Sequence, residues 1–196
     1  RVSLARALAQ NASVLLLDEP LSNLDASLRE QMQREIRSIV TQEGITTVYV
    51  THGQREAMSM SDIVVLLHEG RIEQIGTPRE IYSRPRTRFA AEFLGSSNLI
   101  EAVVESVDAA AGQWRAQTAV GPLQVALQAD RPVAAADHCT LVIKQEDFTL
   151  IRDGADATPH WNRFPMHVDG TAFFGSHFEV ACSNGRQRLC VDVSSR

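Results

Sequence analysis

The spacing of apolar and polar positions in the first half of the chain predicts alternating strands and helices. Short apolar runs predict strands at Val14–Leu17, Ile45–Thr51 and Ile63–Leu67. From Asp25 the apolar residues fall on one helical face, and Gly44 suits the end of that helix. A strand–helix–strand alternation of this kind predicts an α/β fold with a parallel sheet.

Turn and cap residues predict a hairpin and short helices after the third strand. A helix around Arg55–Met60 leads into that strand, and Glu69-Gly70 then turns the chain into Arg71–Ile75. Thr77-Pro78-Arg79-Glu80 combines a capping box with proline at the first helical position, which predicts a helix start. A further helix is predicted at Thr87–Leu94, where Gly95 ends it.

After Gly95 the pattern changes to short β-like segments separated by glycine, proline and aspartate. The sequence therefore predicts an α/β domain at residues 1–95 and a small all-β domain at residues 96–196. Its three neighbouring phenylalanines, Phe173, Phe174 and Phe178, are expected in the core. The strands predicted in it are Leu99–Val107, Leu123–Leu127, Thr140–Lys144, Phe178–Cys182 and Arg188–Val193.

Composition and charge narrow the class of protein. With 196 residues, 44% hydrophobic and 22% charged, the chain has the balance of a globular protein of one or two domains. A net charge of -5 gives a nucleic-acid partner no electrostatic support. Cys139, Cys182 and Cys190 form an odd set, which predicts free buried thiols, with a Cys182–Cys190 disulfide as the alternative.

The ends of the first two predicted strands carry the candidate chemistry. Asp18 and Glu19 follow the first strand and His52 follows the second, at the edge where parallel sheets gather ligands. In a nucleotide hydrolase one carboxylate serves Mg²⁺ and another orients and deprotonates the attacking water. Taken alone, the same residues also suit an acidic turn, a satisfied core histidine and, for Asp25, a helix N-cap.

Three stretches of the chain together resemble the ABC ATPase family: residues 14–20, 21–25 and 50–52. The resemblance implies that Asp18 ends the Walker B strand and binds Mg²⁺ through water. It also implies that Glu19 is the catalytic carboxylate and that His52 contacts the γ-phosphate of ATP. The residues implied for the D-loop at a dimer interface are Ser22, Asn23 and Asp25.

Gly53 departs from the family pattern, which usually places an acidic residue directly after the histidine. An aspartate there would cap the next helix. Glycine at an N-cap costs only a few tenths of a kcal/mol by comparison, so we expect this departure to be tolerated.

The remaining sequence resembles importer ATPases that carry an OB-like TOBE domain. Lys144-Gln145-Glu146-Asp147 is similar to an Arg-Pro-Glu-Asp stretch of that group, with its first two positions altered. The other matching positions are Gly76–Tyr82, Pro85, Phe89, Phe93–Gly95 and Asn98, and Phe174-Gly175-Ser176 and Asn184-Gly185 fit TOBE hairpins. The group imports polyamines, ferric iron, sulfate, sugars or phosphonates.

This resemblance implies an ATP-hydrolysing subunit that uses ATP and Mg²⁺ and powers solute import. The implied partners are a second copy of the subunit, transmembrane permease subunits and, indirectly, a solute-binding protein, with no nucleic acid. The implied location is the cytoplasmic face of the membrane, as a peripheral protein. No apolar run in the chain reaches the ~18 residues that predict a membrane span, so we expect the link to the membrane to go through a partner.

The opening residues Arg1–Leu8 resemble the helix that follows the signature motif of the family. On this interpretation the P-loop, the Q-loop and the signature motif precede the chain. The P-loop supplies the backbone N–H groups and the lysine that hold the phosphates. The chain by itself is therefore expected not to be a competent ATPase.

Two other functions remain open from the sequence. An ABC ATPase that acts on nucleic acid would share Asp18, Glu19 and His52, but it is not expected to carry the Gly76–Tyr82 junction or the β domain. A non-catalytic regulatory fragment, in which only the β domain acts, is the second alternative.

Overall fold

The computed structural model describes residues 13–126, 132–151 and 162–195. The chain forms two compact units, Arg1–Ala90 and Ala91–Arg196. This division falls a few residues before the predicted domain boundary at residue 95, which stays a prediction. The helix expected at Arg1–Leu8 lies outside the described residues.

The first unit contains the predicted parallel strand pair. β1 (Val14–Asp18) lies beside β2 (Thr46–Val50), and α1 (Ala26–Glu43) connects them. Asp25 caps α1 at its start, and Gly44 ends it with a φ of 63°, a left-handed conformation that glycine adopts without strain. Both ends of α1 were predicted from these two residues.

The two faces of the β1–β2 sheet have different environments. One face packs against α1 and forms the core of the unit. The opposite face is exposed to solvent, and Leu16 on this face is 73% exposed. The core residues are Leu15, Leu17, Leu21, Met32, Ile36 and Met60. The exposed residues are Val14, Leu16, Val48 and Val50.

The rest of the first unit follows the predicted order of elements. The elements are α2 (Gln54–Met60), β3 (Val64–His68), β4 (Arg71–Gly76), α3 (Pro78–Ser83) and α4 (Arg88–Phe93), the last of which runs past Ala90. β3 and β4 form an antiparallel hairpin in a sheet of their own. The predicted capping box is present at α3, where Thr77 and Glu80 bond each other's backbone N–H groups.

The second unit is an all-β structure with two antiparallel sheets among its described residues. The first sheet has the order β7-β6-β5-β8 and the second has the order β11-β10-β9. The strands are β5 (Ser97–Asp108), β6 (Gln113–Thr118), β7 (Gly121–Ala126), β8 (His138–Lys144), β9 (His167–Phe173), β10 (His177–Ser183) and β11 (Arg188–Ser194). A 3₁₀ turn, Gln145–Asp147, follows β8. The sequence pattern predicted every strand except β6 and β9.

The buried Asn98 side chain links the two sheets of this unit. Its amide nitrogen donates to the Cys190 carbonyl at 2.7 Å, and its amide oxygen accepts from the Cys190 N–H at 2.8 Å. Asn98 lies on β5 and Cys190 on β11, so one side chain satisfies both backbone groups of a residue in the other sheet. This contact gives Asn98 a structural role.

The expectation that three phenylalanines lie in the core is wrong. Phe173, Phe174 and Phe178 are 63%, 60% and 39% exposed. Phe173 ends β9, whose residues are all exposed, and Phe174 lies in the turn that follows. The rings of Phe173 and Phe178 contact each other with centroids 4.9 Å apart, so these side chains pack at the surface of the β9–β10 hairpin.

The three cysteines are free thiols, as predicted, but only Cys182 is buried, and Cys139 and Cys190 are partly buried. The register pairs Ala181 with Cys190 and Cys182 with Leu189. Because successive residues of a strand face opposite sides, Cys182 and Cys190 lie on opposite faces of the sheet. This register excludes the alternative disulfide, and burial raises the pKa of both thiols.

We expect residues from about 98 onward to survive limited proteolysis as a folded β fragment. Gly95 and Ser96 have φ values of 64° and 53°, and Ser96 is exposed, whereas Asn98 is buried in β5. A protease of broad specificity should therefore cut near residues 95–97. Mass spectrometry of the digest checks this, and uniform degradation of the second half with no protected fragment would contradict it.

Candidate functional site

The parallel pairing of β1 and β2 brings the predicted site residues to one edge of the sheet. Asp18, the last residue of β1, is in register with Val50, the last residue of β2. The N–H of Glu19 donates to the Val50 carbonyl at 2.9 Å. Nδ1 of His52 lies 3.3 Å from Oε1 of Glu19. The structure therefore brings the side chains of Glu19 and His52 next to each other. Asp18 directly precedes Glu19 at the end of β1.

Glu19 has a strained backbone conformation. Its φ of 43° lies in the left-handed region, which side chains other than glycine and asparagine rarely adopt. Such conformations cost on the order of 1–3 kcal/mol and cluster at functional sites. The carbonyl of Glu19 accepts from the N–H of Ser22 at 3.2 Å and from its hydroxyl at 3.0 Å, and these bonds hold the turn.

The three residues predicted for the D-loop lie in the segment between Glu19 and α1. Ser22 and Asn23 are exposed, and Ser22 bonds to Glu19 as described. Asp25 accepts from the N–H of Leu28 at 3.0 Å, so it is the N-cap of α1. Asp25 therefore has the helix N-cap role that the sequence left open. A dimer contact of these residues stays a prediction.

A buried carboxylate lies behind His52 and was not predicted from the sequence. Glu56 is 8% exposed in the first turn of α2. Its Oε2 accepts from the hydroxyl of Thr51 at 2.7 Å and from the hydroxyl of Tyr49 at 3.2 Å. Its Oε1 lies 3.8 Å from Nε of Arg29. We call these four side chains, Glu56, Thr51, Tyr49 and Arg29, the Glu56 network.

The spacing of these residues contained a signal for the network. Tyr49 and Thr51 are two positions apart on β2 and its extension, so both face the same side of the sheet. An acidic residue in a first helical turn is ordinarily explained by the helix dipole, so Glu56 alone does not indicate a buried network. Burial, followed by the charge of Glu56, raises the pKa of Tyr49, so its phenol keeps the proton that it donates.

Gly53 is the N-cap of α2 and makes no side-chain cap. Its N–H donates instead to the Thr51 hydroxyl oxygen at 2.9 Å. A Cβ at this position would lie 3.2 Å from Cδ of Glu56 and 3.2 Å from Oγ1 of Thr51. The glycine therefore leaves the space that the Glu56 network occupies.

The donor set at the strand ends fits Mg²⁺ held together with a nucleotide. Asp18 is exposed at the end of β1, with Glu19 beside it. Among the described residues, no three His, Cys, Asp or Glu side chains converge into a metal cage. Mg²⁺ is commonly bound by one or two carboxylates together with waters and substrate phosphates, and Asp18 can provide such a ligand.

No protein-family model matches the chain. Curated proteins that are similar to it are named as ATP-binding proteins of import systems. Three of them, from Borreliella afzelii, Pseudomonas fluorescens and Bacillus thuringiensis, carry the name spermidine/putrescine import ATP-binding protein PotA.

The relative in Borreliella afzelii is 39% identical over 185 residues, which cover 92% of this chain and 48% of the relative. The relative in Pseudomonas fluorescens is 43% identical over 187 residues, 94% of this chain and 48% of the relative. The relative in Bacillus thuringiensis is 54% identical over 101 residues, 52% of this chain and 31% of the relative. The chain thus spans about half the length of the first two. The chain is thus similar to part of proteins that are named as import ATP-binding proteins.

The helices in the described part of the chain include no candidate membrane span.

Proposed function

We propose that this chain forms the part of an ABC importer's ATP-hydrolysing subunit that carries the Walker B strand, the D-loop, the switch histidine and a C-terminal TOBE domain. The observation that carries this proposal is the 3.3 Å approach of His52 to Glu19 at the ends of two parallel strands, directly after Asp18. The order of elements and the similarity to import ATP-binding proteins support it.

Each residue has a separate role in the proposed hydrolysis. Asp18 holds Mg²⁺ through a water, and the metal, when bound, offsets the negative charge of the phosphates. Glu19 accepts the proton of the water that attacks the γ-phosphate. His52 contacts the γ-phosphate from the end of β2, and its approach to Glu19 keeps the two side chains on the same reacting group.

The exposed face of the β1–β2 sheet supports the proposal that this chain acts as part of a larger assembly. Val14, Leu16, Val48 and Val50 are each at least half exposed on that face. Parallel sheets are normally covered on both faces. We infer that further polypeptide of an ATP-binding domain covers these residues in the working protein.

The partners and the solute follow from the same proposal. A second copy of the subunit meets the segment that holds Ser22, Asn23 and Asp25, and permease subunits attach the protein to the cytoplasmic face of the membrane. A solute-binding protein acts on it indirectly. The names of the relatives favour polyamines as the solute. Nucleic acid is not proposed as a partner, since the chain has a net charge of -5.

The proposal is tested with a chimera in which this chain replaces the matching stretch of the Pseudomonas fluorescens relative, which aligns over 94% of the chain. We expect the purified chimera to hydrolyse Mg-ATP at a rate within about tenfold of that relative, a loss of about 1.4 kcal/mol of transition-state stabilisation. The parent relative is the positive control. A folded, dimeric chimera without hydrolysis would contradict the proposal.

The chain on its own should bind Mg-ATP weakly. Its sequence contains no G-x-x-x-x-G-K-S/T phosphate loop. Asp18, Glu19 and His52 therefore lack the backbone N–H groups and the lysine with which such a loop binds the phosphates. We expect isothermal titration calorimetry to give a dissociation constant of about 1 mM or weaker, which corresponds to about 4 kcal/mol of binding free energy. Micromolar affinity would show that these 196 residues bind the nucleotide without such a loop.

A further inference from the structure

The hydroxyl of Thr51 connects the buried Glu56 carboxylate to the backbone that follows His52. Thr51 donates to Oε2 of Glu56 at 2.7 Å and accepts from the N–H of Gly53 at 2.9 Å. We propose that Glu56 is a positioning residue, which acts through Thr51 to fix the His52–Gly53 backbone and so holds the imidazole beside Glu19. The inference rests on the proposed function of Glu19 and His52.

The direction of the hydrogen bonds follows from the chemistry of the groups. An ionised carboxylate only accepts hydrogen bonds, and a threonine hydroxyl has a single hydrogen to donate. The Thr51 hydrogen is therefore committed to Glu56, and the lone pairs of its oxygen remain for the Gly53 N–H. A hydroxyl that donates is also a stronger acceptor. Glu56 thus sets the direction of the bond that holds Gly53.

Glu56 is itself held in place by the rest of its network. It is 8% exposed, Tyr49 donates to the same oxygen as Thr51, and Arg29 lies 3.8 Å from its other oxygen. The guanidinium of Arg29 also donates to the Leu24 carbonyl at 2.8 Å, just before α1. The carboxylate therefore ties the end of β2 to the start of α1.

The residue at position 53 is coupled to this arrangement by its size. A Cβ there would be 3.2 Å from Cδ of Glu56 and from Oγ1 of Thr51, closer than most Cβ contacts in proteins. The backbone angles of Gly53, φ -83° and ψ 108°, are open to any residue. A side chain at position 53 would therefore press on Glu56 and Thr51 by a few tenths of an ångström. The Thr51 hydroxyl accepts the N–H of Gly53 itself, and α2 has no side-chain cap.

Amide hydrogen exchange, measured by NMR on the full 196-residue chain, tests the positioning role. We expect Thr51→Val to speed exchange of the Gly53 amide by about tenfold, because valine leaves that N–H without its acceptor. Thr51→Ser keeps the hydroxyl and should restore protection. The Gly44 amide, which bonds the Val40 and Thr41 carbonyls at the far end of α1, is the control for global unfolding and should keep its rate.

The Glu56→Ala variant shows whether Glu56 protects the Gly53 amide through Thr51 or independently of it. It should speed Gly53 exchange although Thr51 is intact, and the double variant Thr51→Val/Glu56→Ala should exchange no faster than Thr51→Val alone. Additive effects, or unchanged Gly53 exchange in Glu56→Ala, would overturn the proposal. If Glu56→Ala does not fold, the Thr51→Val and Thr51→Ser pair decides, and equal Gly53 rates in the two variants would overturn it.

Kinetics in the hydrolysing chimera add a readout that a purely structural role would not produce. Thr51→Val should lower kcat about tenfold and leave KM for ATP unchanged, because only the contact of His52 with the γ-phosphate is disturbed. Thr51→Ser should retain kcat. Equal loss in both variants, or a loss confined to KM, would overturn the positioning role. A wild-type chimera that hydrolyses nothing would count against the proposed function alone, because the exchange measurement needs no nucleotide.

Discussion

Replacing Glu19 with glutamine should lower ATP turnover in the chimera by about 10²–10⁴-fold, the usual loss when a general base is removed. Glutamine keeps the shape of the side chain and its backbone position, but it cannot take a proton from water. Mg-ATP affinity should stay close to the parent value, because Asp18 is unchanged. Turnover and affinity measured on the same preparation check both parts of this prediction.

Two further variants separate the roles at the site. Asp18→Asn should weaken Mg-ATP binding, because it removes the charge that serves the metal. His52→Ala should lower turnover and largely spare affinity, because one phosphate contact among many is lost. If Glu19→Gln kept near-parental turnover, or lost nucleotide binding as Asp18→Asn is expected to, the assignment of the two carboxylates would be wrong.

Glu69→Gln is the matched control for these variants. Glu69 is exposed and lies in the turn between β3 and β4, with a φ of 49° that resembles the 43° of Glu19. The substitution therefore repeats the chemical change at a glutamate with a similar unusual backbone, in a turn that does not follow β1 or β2. We expect it to leave turnover unchanged.

Replacing Asn98 with alanine should destabilise the β unit by about 3 kcal/mol. The variant loses two hydrogen bonds and leaves the N–H and carbonyl of Cys190 without their partner, and a buried unmet polar group costs about 1–3 kcal/mol. Urea unfolding followed by circular dichroism measures the difference.

Asn98→Asp provides the matched comparison. Aspartate keeps an oxygen to accept from the Cys190 N–H, but it places a second oxygen against the Cys190 carbonyl, where the amide now donates. We expect it to be at least as destabilising as alanine at neutral pH. If both variants unfold at the parental urea concentration, Asn98 does not hold the two sheets together.

Local chemistry made much of the first unit predictable. Asp25, Gly44 and the Thr77–Glu80 capping box fix helix ends through contacts within a few residues, and the structure has each of them as predicted. The meeting of Glu19 and His52 was predictable because parallel strands end at the same edge.

Two strands of the second unit, β6 and β9, were missed because each carries few large apolar side chains. β6 alternates polar residues with the buried Trp114 and Ala116, but it has no other apolar side chain. β9 contains an aspartate and a glycine, and all of its residues are exposed. The exposed phenylalanines of the β9–β10 hairpin show a related limit. A large apolar side chain is buried only when another element covers it, and composition does not report that.

The Glu56 network was missed for a different reason. Its residues, Arg29, Tyr49, Thr51 and Glu56, come from α1, from the end of β2 and from α2. Each has an ordinary explanation in its own segment, and only their approach in space shows a common role.

The central claim, that this chain carries the hydrolytic strand ends of an importer ATPase, is tested most directly by uptake of radiolabelled spermidine. The assay uses Pseudomonas fluorescens cells that lack the relative used for the chimera. We expect the chimera to restore uptake and its Glu19→Gln form not to restore it, with both present at equal levels. No uptake with the folded chimera, or equal uptake with both forms, would contradict the claim.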